Sequence, residues 1–410
     1  MKLILWFSLF AAMPLCARNL LHDFQEALTF DPQYQTALAD AKINEFTAKQ
    51  LRAVFYPEAS FSTQRIATDT SGRFSFNVSQ PLVDWERFVT WSQAAPQEAL
   101  GVINLQVKQQ DLATRLLKAA TEITLANESL RLNEAKLKAV AQQAERANRM
   151  LQLGQGTVTD LRDIQVKLSQ AKAQQFSFEI QLQTAIKQYA SMIGVTPVAN
   201  DFVLPKAQGN FSLKSLQEYT DWGLQASPSA LAGRLNVQLA ESNVTKIKAS
   251  FLPSVTAQYA YTQNSGVTHR SNYLGIGMSV PLKAGTVFSM DAAQATVIKT
   301  QESLREIESK IRLDADKLRA LVESGSQSLQ IQLEAIEAAE LSVEANTKSY
   351  QGGVRTAVDV LNAIQTVFQV KSDYVSLATT QAQNILALVL LSATVPQDAV
   401  LQAQAYLFVK

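Results

Sequence analysis

Cysteine and histidine are nearly absent: one Cys (Cys16) and two His (His22, His269) in 410 residues. So small a set cannot build a His/Cys metal centre or give a nucleophile its imidazole base. No catalytic residue, metal site or cofactor is therefore expected. Glycine numbers 15, about half its usual ~7% share, and proline 11; so few breakers imply long uninterrupted elements. Charge of one sign is missing too, with 37 basic against 36 acidic residues. Without a basic field nothing draws nucleic acid to the chain. Long hydrophobic runs are also lacking. Beyond the first 17 residues the longest is 385–391, seven residues, where a membrane-crossing helix needs about 20. That argues against a helical membrane protein but leaves a β-barrel open, because barrel strands alternate.

What is present begins with an address. Lys2, an apolar stretch over 3–12, Pro14 and the small Ala17 make residues 1–17 a secretory signal peptide, with cleavage expected after Ala17. The alternative, a lipoprotein acylated on Cys16, fits poorly with the bulky Leu15 before it. Cleavage removes Lys2 and Cys16, so the basic count falls from 37 to 36, equal to the 36 acidic residues, and no cysteine is left. An exported chain without disulfides must be held by packing alone.

The remainder repeats itself. Asp31-Pro32 and Ser227-Pro228 each open a helical segment, and Pro57 and Pro253 follow 25 residues after each proline, an offset of 196 in both cases. Pro81 recurs as Pro281, offset 200; Gly154, Thr157, Asp160 and Pro197 recur as Gly353, Thr356, Asp359 and Pro396, offset 199. The expected organisation is a first repeat over 18–197, a linker over 198–216, a second repeat over 217–396 and an end segment over 397–410. Both the linker and the end segment are expected to pack around the waist of the helices.

Each half shares one grammar. A helix of about 22 residues (33–54; 229–250) stops near an X-Pro step, which pushes the preceding residue out of the α region. An alternating section follows: Phe74, Phe76 and Val78 against Ser75, Asn77 and Ser79, then Val255, Ala257, Tyr259 and Tyr261 against Thr256, Gln258, Ala260 and Thr262. Period-two alternation gives a strand one apolar and one polar face. Each half thus supplies a β-hairpin, about 58–81 and about 254–281, with tips near 68–72 and 264–271. Long helices rich in Ala, Gln, Leu, Lys and Glu then run to the turn glycines, interrupted only by Pro96, which should kink or delay the first. Seventy helical residues would span roughly 105 Å. A second helix of about 37 residues returns from each turn, Gly154 and Gly353 making the turn and Thr157 and Thr356 capping the helix.

The fold class is therefore mainly α with a small β part: two structural repeats of long antiparallel helices plus a β-hairpin. Four strands are too few to close a membrane barrel, and lipid does not tolerate an open edge. Either the sheet is small and soluble, or several chains pool strands; three would give twelve. The helical stretch 112–137 suits either a soluble coiled coil or lateral association.

At this point the residues reach a family. The start Asn19-Leu20-Leu21…Asp31-Pro32, the turn 153–160, and above all 350–363 (Tyr350-Gln351-Gly352-Gly353-Val354-Arg355-Thr356 onward) resemble the TolC-type outer-membrane efflux proteins. The resemblance implies a homotrimer with a 12-stranded β-barrel in outer-membrane lipid, joined to an α-helical barrel in the periplasm of a Gram-negative cell. It also implies a periplasmic adaptor and an inner-membrane transporter (ABC, RND or MFS type) as partners, in drug efflux or type I protein secretion. An adaptor or structural coiled-coil protein is the rival reading, weakened by the lack of a block of strands outside the hairpins.

The same resemblance implies a periplasmic gate at Thr159, Asp160, Tyr350 and Arg355, with Arg355 suited to a carboxylate such as Asp160. Read from residues alone, Asp160 is simply a first-turn acid favoured by the helix dipole and Arg355 is solvated. The family's two entrance aspartates, which favour cations, fall on Asp359 and on Asn362, so one carboxylate ring is missing; Asp163 holds the equivalent place in the first repeat. His269 is expected in an exposed hairpin loop.

Overall fold

The computed structural model describes residues 19–65, 72–154, 156–204, 211–264, 270–281, 285–391 and 395–407. The expected signal peptide, Gln155 of the first turn, His269, most of both hairpin tips and the last three residues lie outside them. The first half runs α1 (Leu20–Phe30), α2 (Pro32–Arg52), a 3-10 turn (Ala53–Phe55), β1 (Glu58–Arg65), β2 (Gly72–Val83), α3 (Trp85–Ser92), α4 (Ala94–Gln152) and α5 (Val158–Ile193). The second runs α6 (Leu216–Ala226), α7 (Pro228–Ala249), β3 (Ser254–Asn264), β4 (Arg270–Ser279), α8 (Gly285–Gln351) and α9 (Ala357–Leu391), and α10 (Pro396–Leu407) follows. α1 and α6 are both 11 residues and begin 196 positions apart, at 20 and 216. No proline or glycine landmark announces that pair.

Pro96 accounts for the break that separates α3 from α4. Within a continuous helix it would lack the N–H for the Ser92 carbonyl and its ring would collide with that carbonyl. The chain therefore ends α3 at Ser92, turns through Gln93 and restarts, leaving Pro96 in the first turn of α4. Its counterpart α8 is unbroken for 67 residues.

Contacts divide the chain into two units: Met1–Gln35, Gln109–Gly223 and Leu313–Lys410 form one, Thr36–Lys108 and Leu224–Arg312 the other. Each draws on both halves of the sequence. In the second unit the two hairpins join through β2 and β3 into one antiparallel sheet, order β1-β2-β3-β4. The register aligns Phe61, Phe76 and Tyr261 across three strands, and Ala59, Val78, Tyr259 and Leu274 across four. Directly paired residues share a face, so this face is mainly apolar, with Asn272 opposite Tyr261 and Thr63 and Gln263 opposite Phe74 as polar members toward the hairpin tips, and with Phe61 and Phe74 meeting edge to face at 4.7 Å. Its β4 members Leu274, Ile276 and Met278 are 80%, 74% and 73% exposed. The opposite face carries Ser62, Ser75, Thr262 and Ser271 in one row. Beside the sheet, Arg87 binds Glu58 at 2.7 Å and Asp84 at 3.4 Å, and Arg52 binds Glu98 at 2.6 Å.

The first unit is built on a helical seam. Leu112, Leu116, Ala120 and Ile123 of α4 are buried, spaced three or four apart so that one stripe faces the neighbours. Tyr189 and Phe202 pack edge to face at 5.3 Å, and Asn127 donates to the Ala199 carbonyl at 3.0 Å, which docks the segment after α5. α10 packs on α9 and α1. By length and composition α9 is apolar enough to cross a membrane, a property that counting unbroken apolar runs misses; yet 56% of its most apolar stretch is buried within the fold. Its hydrophobicity serves the core.

One amide strap recurs in both long hairpins. Asn133 donates to the Ala171 carbonyl at 2.9 Å and Gln332 to the Val370 carbonyl at 3.0 Å. Both donors and both acceptors are 199 residues apart, although the side chains differ.

Candidate functional site

The two helix turns, both in the first unit, follow one geometry. Gly154 and Gly353 have φ of +71° and +76°, the left-handed conformation that residues with a Cβ rarely adopt. Thr157 caps α5: its hydroxyl accepts from the Asp160 N–H at 3.1 Å and from the Thr159 hydroxyl at 3.2 Å. Thr356 does the same for α9, accepting from the Asp359 N–H at 3.2 Å, while Asp359 Oδ2 accepts from the Thr356 N–H and hydroxyl, each at 2.9 Å. This is a reciprocal capping box. Those hydrogen bonds from Thr356, with a smaller contribution from Arg355, hold the Asp359 carboxyl below the ordinary aspartate range.

The expected pairing of Arg355 with Asp160 is not made within the chain. Arg355 Nη1 lies 3.9 Å from Asp359, four residues on, because one helical turn brings i and i+4 together. That pair is exposed and long, so its contribution to stability is small. Tyr350 packs on a cluster of Val140, Ala147, Ile164, Ala357 and Leu361, which joins α4, α5 and α9 just behind the turns. Asp163 and Asn362 are exposed on α5 and α9, and Asn362 lines a polar cavity between α4, α5 and α9. Leu153 and Val354 at the turns are 71% and 81% exposed.

Sequence reasoning did not find several polar contacts. Asp31 caps α2 by accepting from the Tyr34 N–H at 2.7 Å and takes both Arg115 nitrogens at 2.9 and 3.1 Å. Its partner lies 84 residues away, so only the Asp-Pro step was a local signal.

Two capped helical hairpins, joined in one chain with an antiparallel sheet whose mainly apolar face is exposed on β4, are the parts of an outer-membrane channel component. The chain belongs to the outer membrane efflux protein family, whose model matches residues 24–195 and again 223–394, once per repeat. Among curated proteins it resembles the alkaline protease secretion protein AprF of Pseudomonas aeruginosa, 26% identical over 391 residues, covering 87% of this chain and 80% of AprF. It also resembles the proteases secretion protein PrtF of Dickeya chrysanthemi, 26% identical, covering 81% of this chain and 75% of PrtF. Its fold is that of the Vibrio cholerae outer membrane protein VceC, with a TM-score of 0.76 at 16% identity over 91% of this chain and 96% of VceC. The match to channels leaves the adaptor reading without support.

Proposed function

We propose that three copies of this chain pool their strands into a closed 12-stranded barrel in outer-membrane lipid. Their helices form a periplasmic conduit that exports cargo delivered by an adaptor and an inner-membrane transporter. The observation that carries the trimer is the sheet: β1 and β4 are its edges, and its apolar face is exposed. Lipid tolerates neither an open edge nor an unpaired backbone, and closure among copies satisfies both. A conduit performs no bond chemistry, in keeping with a chain that has one cysteine and two histidines. The names of AprF and PrtF favour protein secretion over drug efflux as the cargo class. In this organisation 1–17 is the removed signal peptide, 18–197 and 217–396 are the two repeats, and 198–216 and 397–410 are the segments that brace the helices.

The gate proposal keeps Thr159, Asp160, Tyr350 and Arg355 but assigns them differently. Arg355 is exposed and only loosely held by Asp359, so its stronger closing contact is to a neighbouring copy, while Tyr350 anchors the turn to the cluster behind it. The exposed Leu153 and Val354 offer the adaptor an apolar contact at the tips. Asp359 and Asn362 line the entrance, where one carboxylate ring per trimer gives a weak cation preference. Purified protein in planar bilayers tests both levels. A detergent-extracted trimer should conduct, and Arg355→Ser with Tyr350→Ala, which removes the ring from the cluster, should raise its conductance. A monomer that never conducts ends the channel reading; a conducting trimer indifferent to both substitutions ends the gate.

A further inference from the structure

The cavity between α4, α5 and α9 has a chemistry of its own. It measures about 590 Å³, and its lining holds five carboxamides, three hydroxyls, one lysine and no carboxylate. A space of this size takes a drug-sized molecule or a few peptide residues. Two polar groups in it are unusual. Among the described residues Lys136 Nζ reaches only the neutral Gln174 Oε1, at 3.3 Å. The other charge acting on it is a second lysine, Lys167; burial first, and then Lys167, push its ammonium below the usual lysine range. Asn133 is 4% exposed, and with its Nδ2 committed to Ala171 its Oδ1 has no hydrogen-bond partner among the described residues.

A half-buried ammonium without a counter-charge is costly, and a buried acceptor without a donor costs about 1–3 kcal/mol. One kind of ligand relieves both: a carboxylate for Lys136, carried on a chain whose N–H groups can serve Asn133. The amide side chains of Gln174, Gln365, Gln369 and Asn362 each donate and accept, as a peptide backbone requires. We propose that this cavity is a binding site for an acidic peptide segment, with Lys136 taking a side-chain carboxylate and the carboxamides taking the main chain. That the segment is cargo in transit rests on the export reading; the binding does not.

The test uses the detergent-purified full chain and two fluorescein-labelled pentapeptides, one of aspartates and one of asparagines, followed by fluorescence anisotropy. The aspartate peptide should bind the tighter. Lys136→Met should weaken it about tenfold, the order expected for one charge-assisted hydrogen bond, and Lys136→Arg should restore most of the loss. Equal binding of the two peptides, or binding unchanged in a Lys136→Met protein with wild-type melting, overturns the site. A protein that conducts in bilayers yet binds neither peptide also overturns it. One that binds but never conducts supports the site and counts against the export reading alone.

Discussion

At the scale of single residues, stability rests on polar contacts made over long sequence distances. Asp31 is 2% exposed. Burial alone would raise its carboxyl, but hydrogen bonds from Arg115 and from the Tyr34 N–H, with the Arg115 charge, outweigh burial and hold it below the ordinary range. A group with a depressed folded pKa stabilises above its unfolded value, about 3.9, and that contribution is lost as pH falls through the folded value. Thermal unfolding followed from pH 6 to pH 2 should therefore show an acid-side loss that Asp31→Asn flattens; an identical pH profile in the variant would count against the pairing. Gly325 is a second case. A Cβ there would lie 2.0 Å from Gln381 Oε1 and 2.8 Å from its Cδ. Gln381 cannot easily withdraw, being 1% exposed and donating to the Val322 carbonyl at 2.7 Å and to Ser326 Oγ at 3.1 Å. Gly325→Ala should cost roughly 1–3 kcal/mol in lost hydrogen bonds, more than the ~1 kcal/mol it gains in helix propensity. Adding Gln381→Ala opens the space, so the double variant should be less destabilised than the sum of the two singles. Strict additivity of the melting shifts would sink the explanation.

At the scale of elements, the turn residues were legible because their conformations are local. Gly154, Thr157, Gly353 and Thr356 do what their types require, and Pro96 restarts a helix for reasons within four residues of itself. The two straps were not legible. Asn133 and Gln332 differ in type, their acceptors are backbone carbonyls on Ala171 and Val370, and a carbonyl leaves no mark in a sequence. For the same reason the partner of Arg355 was not legible: which carboxylate an exposed arginine meets depends on three-dimensional approach, and within the chain Asp359 is the nearer one. Each strap precedes its turn glycine by 21 residues, Asn133 before Gly154 and Gln332 before Gly353. Each strap thus closes off the segment of its hairpin between itself and the turn. Hydrogen exchange can read this directly. Asn133→Ala should speed exchange in α5 from Val158 toward Ala171 while sparing α9, and Gln332→Ala should do the reverse. Equal acceleration in both hairpins would show that the straps do not act locally.

At the scale of the whole molecule, the decisive feature is the two-faced sheet. Alternation along each strand revealed that one face is apolar, but the pairing of β2 with β3, which sets four strands side by side, depends on contacts between halves of the chain. The consequence is a face carrying Phe61, Phe76, Tyr259, Leu274 and Ile276 with few helices to cover it, backed by a face of serines, threonines and asparagine. If the apolar face meets lipid, a lysine there faces a cost of about 2–4 kcal/mol near the bilayer midplane, whereas a lysine on the water-filled side is nearly free. Ile276→Lys and Thr262→Lys make that comparison within one sheet, because the register puts the two residues on opposite faces. Quantified in outer-membrane fractions, Ile276→Lys should reduce assembled trimer severalfold. Thr262→Lys should assemble normally and shift ion selectivity toward anions. Helical content measured on purified material should be the same in both, since neither residue touches the helices' own packing stripe. Equal assembly of the two variants would remove the lipid-facing assignment, and a larger defect in Thr262→Lys would invert it, turning the sheet inside out.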